Sequence, residues 1–149
     1  MKTLCEVFQK IKPEVIDEVK QLVKNGFFRK KTQERVEDLK KLIERLSFIY
    51  EVPEPELRHD PRLRAPLGLY DRINEVITIG RPSIVTTLHE YRHHMQNKGF
   101  VIIENREHDA QGWATSLYKK ACPGLFRKAV ATGRIKGLTI SRNGEIVNS

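Results

Sequence analysis

Two histidines four positions apart, His89 and His93, bracket a glutamate in the run His89-Glu90-Tyr91-Arg92-His93. On a helix, positions i and i+4 share one face, so both imidazoles can reach a single metal ion. Glu90 stands one step from the first histidine, at the edge of that face. A carboxylate there can take a proton from a water held by the ion without itself being a ligand. Zinc is the natural ion for two imidazoles and a carboxylate. A catalytic zinc takes three protein ligands and leaves a fourth position open to water, whose pKa falls to about 7. The pattern points to metal-assisted hydrolysis rather than to incidental histidines on a surface helix.

A third ligand has to come from elsewhere, and the nearest dense set of candidates is Glu104, Glu107, His108 and Asp109. His94 lies one step round from His93, cannot share its metal face, and is expected to pack or to support the site.

The elements that must position these groups can be read from periodicity and punctuation. Pro82 suits the start of a helix that runs over 82–98 and is closed by Gly99. A further helix is expected over 104–122, ended by Pro123-Gly124. Before the histidine helix, five prolines between positions 53 and 82 and the lack of a helical period argue for strands and turns. Residues 67–70 form a short strand, 71–74 a turn, and the β-branched, alternating 75–79 a second strand, together a hairpin. Further upstream, Thr3 can cap a short helix bearing Leu4, Val7, Phe8 and Ile11. Pro13 opens another that stops at Asn25-Gly26. The helix over 32–50 carries Val36, Leu39, Leu42, Ile43, Leu46 and Ile49 at helical spacing, a core-facing stripe. After Pro123, a short helix bears Leu125, Phe126, Ala129 and Val130. The tail LTISRNGEIV places Asn143-Gly144 between alternating apolar residues, a strong hairpin signal.

With these pieces in order, residues 68–114 resemble the core of a small gluzincin-type zinc metallopeptidase. The hairpin GLYDRINEVITI, the helix TTLHEYRHHMQ and the segment ENREHDAQGWA follow one another as they do there. The last segment is similar to the E-x-x-A-x-x-aromatic-A pattern of the helix that supplies the third ligand in compact metallopeptidases of phages and mobile elements, some of which cleave repressors. Here that pattern falls on Glu107, Ala110, Trp113 and Ala114. The resemblance therefore implies His89, His93 and Glu107 as metal ligands, Zn2+ as cofactor, Glu90 as catalytic base and a peptide or protein as substrate. The small Ala110 and Ala114, on the Glu107 face, would let two helices approach closely, with Trp113 packing into the core from the flank. One departure concerns the position four residues after the ligand glutamate. Larger gluzincins often place an aspartate there to orient a histidine, whereas this chain has Gln111, whose carbonyl can still accept from an imidazole N–H. The strand 75–79 resembles the edge strand that pairs with extended substrate in such enzymes. Candidates for stabilising the oxyanion are Tyr118, His59, Tyr70, His108 and Arg106.

The expected fold is α+β and zincin-like: helices packed on a small, mostly antiparallel sheet, with the metal between two helices. At 149 residues the chain suits one domain, with an N-terminal helical part over 1–52, the metallopeptidase core over 53–122, and a C-terminal helix and hairpin over 123–149. No run approaches the ~18 apolar residues of a membrane span. Glu6, Glu14, Asp17 and Glu18 stand where a signal peptide would need an apolar stretch. A cytoplasmic protein of a prokaryote, or one encoded by a virus or plasmid, is expected. Cys5 and Cys122 match no metal spacing and read as free thiols or, alternatively, as one long-range disulfide.

The net charge of +8 is uneven. Residues 1–50 balance at +4 and 115–149 at +6, whereas 51–114 balance at −2. Basic flanks of this kind suit a solvated surface or weak, non-specific contact with nucleic acid. Two other functions compete with the hydrolase: a non-proteolytic interaction protein on a zincin scaffold, and a basic nucleic-acid-binding regulator. An intact Glu90 favours the enzyme, because a purely structural metal site has no use for a base.

Overall fold

A computed structural model describes residues 11–135 and 138–148, and the chain is a mixture of helices and small sheets, α+β. The expected helix bearing Leu4, Val7 and Phe8, and the cysteine at position 5, lie outside the described residues. Helix α1 (Pro13–Lys24) has its proline in the first turn and buries Val15 and Val19. Asn25 caps it, and Gly26 follows at φ 90°, a left-handed turn that a side chain would resist. A 3-10 turn, Phe27–Arg29, buries Phe27. Helix α2 (Thr32–Tyr50) buries Val36, Leu39, Leu42, Ile43 and Leu46, so its apolar stripe is core, each such side chain being worth about 1.5–3 kcal/mol when buried.

Three short strands follow: β1 (Glu56–His59), β2 (Gly68–Asp71) and β3 (Val76–Ile79). They form one sheet in the order β1-β3-β2. The hairpin β2–β3 is antiparallel, pairing Gly68 with Ile79 and Asp71 with Val76. Its turn is held by the Asp71 carboxylate, which accepts from the backbone N–H of Ile73 and Asn74. The β1–β3 ladder is parallel, from Glu56↔Val76 to His59↔Ile79. This sheet is therefore mixed.

The order also corrects an expectation: residues 75–79 are not an edge. Strand β3 is the central strand, with Val76, Ile77 and Ile79 all buried and both backbone sides paired. The exposed edge next to the helices is β2.

Helix α3 (Ile84–Asn97) begins two residues later than Pro82 suggested. Ser83 is extended and its hydroxyl accepts from the Thr86 N–H, which makes it the N-cap. Helix α4 (Arg106–Ala121) is capped in the same way by Asn105, whose side chain accepts from the His108 N–H. Helix α5 (Pro123–Ala131) follows, then an antiparallel pair, β4 (Leu138–Ile140) and β5 (Ile146–Asn148). The turn between them has Gly144 at φ 80°, as the Asn143-Gly144 signal required.

Helix α3 lies between the β2–β3 hairpin and α4. Tyr91, Leu88, Met95, Trp113 and Leu117 fill the space with Ile77 and Ile79, all of them fully buried. One continuous apolar cluster runs from Ile11 through these residues to Ile135. The Cys122 thiol is half-buried, and burial pushes its pKa up, away from the reactive thiolate. No helix among the described residues is long and apolar enough to cross a membrane.

Candidate metal centre

Helices α3 and α4 bring His89, His93 and Glu107 together, and one ligand atom from each lies within 4.8 Å of the other two. His89 Nε2 is 3.2 Å from one Glu107 oxygen and His93 Nε2 is 2.5 Å from the other. The imidazole rings are 5.0 Å apart and inclined at 74°. Glu107 occupies the first turn of α4, where the helix dipole favours a carboxylate. It is the most exposed of the three, so the site opens on that side.

The hydrogen bonds behind the rings determine what the front atoms can be. His89 Nδ1 is 3.0 Å from Gln111 Oε1, the partner the sequence suggested. His93 Nδ1 is 2.9 Å from Gln96 Oε1. The Gln96 amide can be oriented by its partners. Its NH2 group donates to Asp109 Oδ2 and to the Arg106 carbonyl, both at 2.9 Å, so its oxygen is what faces His93. A carbonyl only accepts, so Nδ1 of each histidine is placed to donate to its glutamine oxygen, and each Nε2 faces Glu107. Two imidazole Nε2 atoms and a carboxylate then face one point. That arrangement draws positive charge to its centre, a proton on Nε2 or a divalent metal.

Asp109 itself does not face the site. It forms a buried ion pair with Arg92, 2.8 Å from Nε to Oδ2, whose side chains are 5% and 1% exposed. The guanidinium also lies over the Trp113 ring. The chain Arg92–Asp109–Gln96–His93 thus ties a core ion pair to a ligand histidine. Only the Gln96 link was visible in principle from sequence, as an i+3 neighbour of His93 on the same helix face. Ala110 and Ala114 are fully buried, in keeping with a close approach of the two helices. Glu104 precedes the Asn105 cap and lies off the helix, and His108 contributes no atom to the cluster. The expected outcome is that Glu107→Ala weakens metal binding by about 10-fold or more, whereas Glu104→Ala leaves it unchanged. Titration of both variants against a competing chelator checks this.

Glu90 is 7% exposed and contributes no atom to the cluster. Its Oε2 is buried with no hydrogen-bond partner among the described residues. Burial pushes its carboxyl pKa up and the nearby Glu107 carboxylate adds to this, against the opposing pull of His89 and His93. Strand β2 lies directly over it. A Cβ on Gly68 would stand 2.7 Å from Thr86 Cγ2 and 3.1 Å from Glu90 Cγ, so only glycine allows this approach.

His94 supports the wall from behind. It is fully buried, donates from Nε2 to the Pro53 carbonyl at 2.6 Å, and accepts at Nδ1 from the Tyr70 hydroxyl at 2.7 Å. Burial lowers its pKa, which keeps the ring neutral. Tyr70 also accepts from Asn97 Nδ2, so its hydroxyl is committed to holding β2 on α3.

A cavity of about 970 Å³ opens in front of the cluster. Of the candidates for oxyanion stabilisation, Tyr70, Arg106 and His108 line it. His59 and Tyr118 do not. His59 sits on β1, at the far edge of the sheet. Tyr118 is buried, with its hydroxyl pKa pushed up to about 12 by burial. Arg72 and Arg134, which sequence reasoning did not single out, also line the cavity.

No protein-family model, no curated protein and no solved structure matches the chain.

Proposed function

We propose that the chain is a zinc-dependent peptidase of the zincin type, with His89, His93 and Glu107 as ligands and Glu90 as the general base. The observation that carries this reading is the set of two imidazole nitrogens and a carboxylate facing one point, each ring's Nδ1 set against a glutamine oxygen from behind, beside a buried carboxylate that is not part of the set. The residues fit the ion. Ligands of a tetrahedral zinc stand about 3.3 Å apart, close to the 3.2 Å between His89 and Glu107, with the His93 pair tighter. Two histidines and one glutamate are also a set that leaves a coordination position free for chemistry. Zinc bound there supplies Lewis acidity to a substrate carbonyl and to water.

The protein's own groups do the rest. A Glu90 carboxylate oxygen accepts the proton of the attacking water and passes it to the leaving amine. Burial keeps that oxygen out of competition with bulk water and raises its basicity. The outer edge of β2 pairs with no strand among the described residues, and it borders the cavity. An extended peptide can add to it through main-chain hydrogen bonds, which is the role first expected of residues 75–79. The buried, unpartnered Glu90 oxygen favours this reading over an interaction protein on the same scaffold, because burying a carboxylate without a partner is costly and needs a purpose.

Incubation of the zinc-loaded chain with an unstructured protein substrate tests the reading. Cleavage should stop on addition of a zinc chelator and return when zinc is restored. Cleavage indifferent to the chelator, or no cleavage at all, contradicts it.

A further inference from the structure

The cavity in front of the metal cluster has an unbalanced charge. Among the described residues its lining contains two carboxylates, Glu107 in the metal cluster and Glu90 beside it. A divalent ion there would offset them. Three arginines remain, Arg72, Arg106 and Arg134, with His108 beside them. They come from three separate places: the turn after β2, the first residue of α4, and the segment after α5. All three are exposed, and none is in an ion pair among the described residues. Some other surface charges find partners, as Arg58 does with Glu56 and Lys98 with Glu75, while others such as Arg64 and Arg81 also have no ion pair among the described residues, so what sets these three apart is their convergence on one cavity. Arg72 and Arg106 belong to the slightly acidic middle of the sequence and Arg134 to the basic C-terminal part, and folding brings them to one cavity.

We infer that this cavity selects polypeptide segments bearing aspartate or glutamate beside the bond presented to the metal. The inference rests on the peptidase reading and adds its substrate class. An arginine offers planar, paired donors that match a carboxylate, and three of them around a concave site focus a positive field into it. The same wall exposes Leu67 and Leu69, each 47% exposed, so an acidic residue next to an apolar one fits best. A nucleic acid strand would also answer to positive charge. However, single-stranded grooves read bases by stacking on aromatic rings, and the one aromatic in this lining, Tyr70, is tied down by His94 and Asn97. The free edge of β2 offers main-chain pairing, which suits a peptide.

The test uses the full chain loaded with zinc, in its Glu90→Gln form so that peptides stay intact. Fluorescence anisotropy compares three labelled peptides of one apolar frame carrying Asp and Glu, Ser and Asn, or Lys at the variable positions. The acidic peptide should bind about 10-fold more tightly than the neutral one, the scale of two or three modest charge contacts. Arg106→Ser with Arg134→Ser should reduce that advantage to about 3-fold or less, and so should high salt. Both positions are exposed, and unchanged zinc content shows that the variant has kept its site. Equal binding of acidic and neutral peptides overturns the inference, as does tighter binding of a single-stranded oligonucleotide than of the acidic peptide. If the acidic preference holds but the unsubstituted chain cleaves none of the peptides, the peptidase reading fails and the acidic-ligand site stands.

Discussion

Replacing Glu90 by glutamine is expected to slow hydrolysis by a factor of about 100 to 10,000 while leaving the metal in place. The separation of the two effects follows from geometry. The atoms placed to hold an ion belong to His89, His93 and Glu107, and Glu90 contributes none to that group. A glutamine has the same shape, so it fits under Gly68, where a Cβ would already approach Glu90 Cγ to 3.1 Å. What it loses is the basic oxygen. His93→Ala, in contrast, removes one of three converging groups, and both metal and activity should go. Zinc content and kcat/KM measured side by side on the two variants decide the assignment. Loss of zinc from Glu90→Gln would make that carboxylate a ligand.

The second large effect lies away from the cavity. Asp109→Ala should destabilise the fold by about 3–5 kcal/mol, because it strands the Arg92 charge in the core. Arg92 is 5% exposed and its guanidinium is committed to Asp109 and to the face of Trp113. The same substitution removes one of the two acceptors that orient the Gln96 amide, leaving only the Arg106 carbonyl to hold its oxygen toward His93, so metal affinity should fall modestly as well. Replacing the pair together by leucine and methionine should recover most of the stability without restoring the support of His93. Urea unfolding in the presence of chelator isolates the fold from the contribution of bound metal. A loss below about 1 kcal/mol for Asp109→Ala would mean that water reaches the pair.

These two cases also show what could be read from the chain beforehand. The His89/His93 pair was legible because a helix imposes its own spacing, and Gln111 because its amide was the one group four residues beyond Glu107 able to accept from a ring. The helix starts were set by Ser83 and Asn105 through side-chain hydrogen bonds, and the second of these removes Glu104 from contention. Strand β1 was not legible: ELRH is four residues among prolines, and its parallel pairing with β3 skips the whole of β2. The central place of β3 did leave a signal. Val76, Ile77 and Ile79 form a nearly continuous apolar run, which marks a strand covered on both faces, whereas the edge assignment came from the resemblance and not from these residues. The Arg92–Asp109 pair and the convergence of three arginines depend on how α3, α4 and the segment after α5 come together, and no local pattern encodes that.

Elemental analysis of the protein purified without added metal tests the metal centre most directly. The arrangement of His89, His93 and Glu107 predicts about one zinc ion per chain, retained through dialysis and lost in His93→Ala. A protein free of transition metal that also takes up no zinc on titration would contradict the account at its centre.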